Sequence, residues 1–113
     1  MRQFEEKVEF LLIEAKKLGL YIDESLFYKI AKSLGPALYH PDASLVATSD
    51  AKEMSHIRST FIAKKLEIRD ELLIDTIISE VTAQLGFNNR YKHRALFYYL
   101  LVEKFGKASF YND

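Results

Sequence analysis

Asn88-Asn89-Arg90-Tyr91-Lys92-His93-Arg94-Ala95-Leu96-Phe97-Tyr98-Tyr99-Leu100-Leu101-Val102-Glu103-Lys104-Phe105 is the stretch that decides the fold. It opens polar and cationic, and from Ala95 to Val102 it offers no polar face at all. A helix that is apolar all round must be surrounded by other protein. The segment therefore reads as a helix over 88–105, the pillar of a helical core, with its cationic N-terminal end at the surface. That apolar run is far shorter than the ~20 residues a membrane helix requires.

Working outward, each of the four glycines follows a stretch of helical periodicity, as expected of residues just past a helix end. Gly19 closes Gln3–Leu18, where Phe4, Val8, Leu11, Leu12 and Ala15 trace one face. Gly35 closes Glu24–Leu34, with Asp23 as N-cap and Leu26, Phe27, Ile30, Ala31 and Leu34 inward. Gly86 closes Glu71–Leu85, capped by Asp70, with Ile74, Ile77, Ile78, Val81 and Leu85 as its stripe. Gly106 closes the pillar. A further helix starts at Ser49 or Asp50, where Asp50-Ala51-Lys52-Glu53 resembles a capping box. Its inward residues are Met54, Ile57, Phe61, Ile62 and Leu66, and it stops near Leu66. Nothing alternates with the period of a strand. The expectation is an all-α fold: a single compact domain over residues 1–113, of about five helices, with a long ordered loop between helices two and three.

That loop, Pro36 to Thr48, holds both prolines and exceeds the ~2–8 residues usual between bundle helices. Leu38, Tyr39, Leu45 and Val46 give it apolar groups of its own, which favours a packed, structural loop over a functional one.

Composition removes several classes of function. With 113 residues the chain has room for one core. The absence of cysteine excludes disulfides, thiol catalysis and Cys-based metal sites, and fits a reducing compartment. Acids at Glu5 and Glu6 stand where a secretory signal needs a basic start, so the expected compartment is the cytoplasm. The net charge of zero hides an asymmetry: residues 1–86 carry 11 basic and 14 acidic side chains, residues 87–113 carry 5 and 2.

Two candidate sites emerge. Arg90, Lys92 and Arg94 at the start of the last helix form a candidate anion-binding site, where backbone N–H groups and the helix dipole add to side-chain charge. Their footprint is small, and pairing of Arg90 and Arg94 with acids of the N-terminal half, such as Glu5, Glu6 or Glu9, is the favoured reading. Tyr39, His40, Asp42 and Ser44 form a candidate loop site, for which a Ser/His/Asp set can be written. No strained strand–turn–helix elbow presents the serine, and backbone capping is the more economical role for Asp42 and Ser44. His40, His56 and His93 fall on different elements and give no liganding cluster, so no metal and no cofactor is expected. Tyr98 and Tyr99 point about 100° apart on a helix. Each should reach a polar partner in the core, or one should form a dimer seam. A non-enzymatic interaction domain, with an unknown protein partner or self-association, is the leading expectation. A weak nucleic-acid or phosphate-ligand binder is the less favoured one, and no membrane partner is expected.

The chain also resembles a family of small bacterial proteins, domain of unknown function 2853. The likeness rests on Leu34-Gly35-Pro36 with Tyr39, on Asp42-Ala43-Ser44, and on Ser49-Asp50 with Glu53. Phe61 with Lys64-Lys65-Leu66, Asn89-Arg90-Tyr91-Lys92 with Arg94-Ala95, and Tyr98 through Val102 to Phe105-Gly106-Lys107 add to it. It runs from about Leu34 onward, the first helix being matched by pattern alone. The family pattern has asparagine where His40 stands and glycine where Glu67 follows Leu66. The resemblance implies a compact all-helical domain and brings no activity, cofactor or catalytic residue to these positions. A mechanism centred on His40 would not be a family property, and a tight helix stop at Glu67 comes into question.

Overall fold

Asp23, Asp50 and Asp70 each stop the chain in an extended conformation and turn it into a helix. Their carboxylates accept from the N–H groups of Leu26, of Lys52 and Glu53, and of Leu73. Such caps contribute about 1 kcal/mol each. The computed structural model describes residues 2–112, and among these the helices are α1 (Arg2–Lys17), α2 (Glu24–Ser33), α3 (Ala51–His56), α4 (Glu71–Leu85) and α5 (Arg94–Phe105). Short 3-10 turns span Gly35–Leu38 and Ala108–Tyr111. Among the described residues the only β pairing is an isolated antiparallel bridge between Leu45 and His93.

The pillar is as expected from its composition. Every residue from Ala95 to Val102 is buried, and α5 packs against α1, α2 and α4. Both tyrosines are buried, Tyr99 fully and Tyr98 with 8% exposure. Tyr99 stacks edge-on against Phe27, and its hydroxyl accepts the Asp23 N–H at 2.7 Å. Tyr98 stacks flat on Phe61, with ring centroids 3.9 Å apart, and its hydroxyl accepts from Arg94 at 3.0 Å. Burial pushes the Tyr99 hydroxyl up to about 12, against the opposing effect of the Asp23 hydrogen bond. Both rings find their partners within one copy of the chain. Gly106 ends α5 in the left-handed region at φ 70°, letting the Lys107 N–H reach back to the Val102 carbonyl at 2.9 Å.

Two expectations need correcting. The last helix begins at Arg94, not Asn88, because the preceding residues are tied elsewhere. Asn89 Nδ2 donates to the Leu85 carbonyl at 2.8 Å and finishes α4, while Asn89 Oδ1 accepts from the Tyr91 N–H in a turn. His93 then sits extended, at φ −64° and ψ 130°, as the residue before the helix.

The third helix begins as α but widens at Ile57 into a π-helix, Ile57–Lys65. The carbonyl of His56 is occupied by the hydroxyl of Thr60 at 2.7 Å, an i−4 side-chain bond that competes with the α ladder. Ile57, Ile62 and Leu66, spaced five and four apart, are fully buried along the resulting wider turn. The segment ends with the Leu66 N–H on the Phe61 carbonyl, and Glu67 then takes φ 60°, the one non-glycine residue with positive φ among those described. The stop after Leu66 is thus as tight as one made by glycine.

Candidate functional site

The basic segment and the long loop, separate in the sequence, meet in space. The Val46 N–H donates to the Lys92 carbonyl at 2.8 Å, and the Arg94 N–H donates to the Ser44 carbonyl at 2.7 Å. The second bond occupies a backbone donor at the start of α5 that an anion would otherwise use. Arg94 Nε donates to the Ala43 carbonyl, and Nη2 donates to the Leu45 carbonyl at 3.2 Å and pairs with Glu53. Arg94 is thereby a tie holding the loop, α3 and Tyr98 to α5. Glu53, the capping-box residue, turns to Arg94 while Asp50 alone caps α3.

Lys92 is 5% exposed, and its ammonium donates to the carbonyls of Phe87 at 3.1 Å and Asn89 at 2.6 Å. Of the three candidate anion ligands, Lys92 and Arg94 are therefore committed to the fold. Arg90 remains exposed and has no ion pair among the described residues. The anion site at the head of the last helix is not assembled, because no helical turn brings Arg90 and Arg94 together and the N–H is taken. The favoured pairing with an acid holds for Arg94, but the acid is Glu53 rather than Glu5, Glu6 or Glu9.

The loop residues serve their own backbone. His40 Nδ1 accepts from the N–H groups of Asp42 and Ala43, both at 3.2 Å, and the Ser44 hydroxyl donates to the Pro41 carbonyl at 3.4 Å. Tyr39, His40 and Asp42 are exposed. The serine hydroxyl therefore faces a carbonyl and the imidazole nitrogen faces backbone, so His40, Asp42 and Ser44 form no proton relay. Between this loop, α3 and Arg90 lies an open depression of 670 Å³ lined by Asp42, Asp50, Glu53, Lys52 and His56 among others. Asp50 and Glu53 are already engaged, and among the described residues no group of three or more His, Asp or Glu is arranged to hold a metal.

A family model described as "Protein of unknown function (DUF2853)" matches residues 12–109. The chain belongs to this family. No curated protein matches it. The match begins at Leu12 and takes in the last six residues of α1, so membership extends well before Leu34. Within this DUF2853 domain, no helix among the described residues is long and apolar enough to cross a membrane.

Sequence reasoning missed two features. One is the commitment of Lys92 to carbonyls of the turn before it, and of Arg94 to partners 41 to 51 residues away that no local pattern announces. The other is a grouping of lysines from α2 and the π-helical segment. Lys29 and Lys32 are three apart on one helix and Lys65 ends another, a signal lost when charge is summed over the acidic half of the chain.

Proposed function

We propose that this is a non-enzymatic domain of a cytoplasmic bacterial protein that acts by associating with a second copy of itself. The observation that carries the reading is a cluster of exposed rings at one end of α5. Phe10 on α1 is 45% exposed, and its ring meets that of His93 edge-on at 5.7 Å. Ile13, one turn along, is 52% exposed, and Phe87 and Tyr91, in the turn leading to His93, are each 63% exposed. Large apolar groups gathered this way mark contact surfaces.

Charge favours a second copy over an unrelated partner. Glu6 and Glu9 flank Phe10, Arg90 adjoins Tyr91, and all three charges are exposed and outside any ion pair among the described residues. A two-fold contact sets the same patch against itself, and acid faces base when α1 of each copy lies against the turn of the other.

Sedimentation equilibrium tests this. The wild type should show a concentration-dependent dimer that Phe10→Glu and Tyr91→Glu each abolish. Glu9→Arg should weaken it, and Arg90→Glu in the same chain should restore it. A monomer at all concentrations, or a dimer indifferent to Phe10→Glu and Tyr91→Glu, refutes the reading.

A further inference from the structure

On another part of the surface, two adjoining clefts of 330 and 250 Å³ run between α2, the π-helical segment and the C-terminal 3-10 turn. Ser33, Lys65 and Tyr111 line both; Lys29 and Lys32 line the larger and Thr60 the smaller. Among the described residues no carboxylate lines either one. None of the three lysines belongs to an ion pair among the described residues.

Three ammonium groups on one concave surface repel each other and raise the local concentration of anions. Where the fold does pair such groups the partner is a carboxylate: Lys17 has Glu14, Arg58 has Glu71 and Asp75, and Lys104 has Glu80. Tyr111, 8% exposed, lines both clefts. Its buried hydroxyl lies beside that of Ser33, which donates to the Ile30 carbonyl at 2.6 Å and keeps lone pairs that can accept from it. Lys65 is held above the Tyr111 ring, 5.0 Å from its centroid, which fixes its position at the cleft. Thr60 and Lys65 both belong to the π-helical segment, and π turns occur frequently at functional sites.

We propose that this cleft binds a small phosphomonoester-type anion through the ammonium groups of Lys29, Lys32 and Lys65. The volumes suit a phosphate with a modest organic group attached. Phe61 and Tyr98, lining the smaller compartment, supply the apolar wall for that group. The proposal uses none of the residues invoked for self-association, and the two stand or fall separately.

Calorimetric titration of the full chain with inorganic phosphate, phenyl phosphate and a short single-stranded oligonucleotide provides the test, with thermal melting alongside. Phenyl phosphate should bind and raise the melting temperature, and Lys32→Gln with Lys65→Gln should weaken binding tenfold or more. A control pair on other faces, Lys16→Gln with Lys52→Gln, removes the same charge and should leave binding within twofold. The circular dichroism of both variants should match the wild type, since the substituted side chains are exposed. Inorganic phosphate binding as tightly as phenyl phosphate supports the site with free phosphate as its occupant. Weaker inorganic phosphate supports it with an organic phosphate. No binding, equal losses in both variant pairs, or an oligonucleotide preferred over both phosphates overturns the proposal.

Discussion

Replacing Glu67 with glycine removes a side chain from a backbone conformation that side chains disfavour. At φ 60° the Cβ of an L-residue crowds the following carbonyl, at a cost of about 1–2 kcal/mol. Glycine escapes that clash but loses about 0.5–1 kcal/mol more through the freedom of its unfolded state. The balance is a gain of about 0.5–1 kcal/mol for Glu67→Gly. Little else changes, because Glu67 is exposed and makes no ion pair among the described residues. A chain of this length unfolds with an entropy near 0.24 kcal/mol per degree, so the gain corresponds to about 2–4 °C in melting temperature. Urea unfolding followed by circular dichroism, with the slope unchanged, is the assay. Glu67→Ala is the control, since alanine keeps the clash and should stay within about 0.5 kcal/mol of the wild type. The reasoning fails if the glycine variant is no more stable than the wild type. It fails equally if alanine gives the same gain, which would assign the effect to the lost carboxylate.

Arg94→Met should destabilise the domain by about 3 kcal/mol or more, because Glu53 and two loop carbonyls lose their partner together. A loss below about 1 kcal/mol in the same unfolding assay would show that water replaces the guanidinium freely. His93 sets an acid limit on stability. Burial and then Lys7 hold its imidazole below the usual 6.5, with Glu14 opposing, and its Nδ1 is buried without a partner. The unfolded chain then binds a proton that the folded one refuses, so this contribution is intact above pH 6.5 and is lost as pH falls below it. His93→Phe should retain stability relative to the wild type as the solution is acidified, and parallel pH curves for the two proteins would refute the assignment.

Most of the architecture was legible because it is written in local patterns. The aspartate caps, the apolar stripes and the unbroken run from Ala95 to Val102 each act within a turn or two. The misread elements answer to distant partners. The start of α5 is set by Ser44 and Val46, about 50 residues earlier in the chain, which bond the backbone of 92 and 94 and leave His93 extended between them. The widening at Ile57 depends on a hydroxyl at Thr60 that an apolar-periodicity reading passes over, although the spacing of Ile57, Ile62 and Leu66 already exceeds that of an α stripe. The candidate sites suffered most. A cation's charge is visible in sequence, whereas its neutralisation is not: Lys92 and Arg94 proved to be internal fastenings, while Lys29, Lys32 and Lys65 came together along one cleft.

The position of the pillar in the chain has a consequence for biosynthesis. α1, α2 and α4 each pack against α5, and even the start of α2 relies on a hydroxyl 76 residues downstream. A ribosome delivers the first four helices before the element they close around. During translation those helices have apolar stripes and no common surface to bury them against, so their folding waits for α5 to emerge. The interval during which this chain is exposed to chaperones and proteases is set by the time taken to reach Val102, and collapse follows at a single late step.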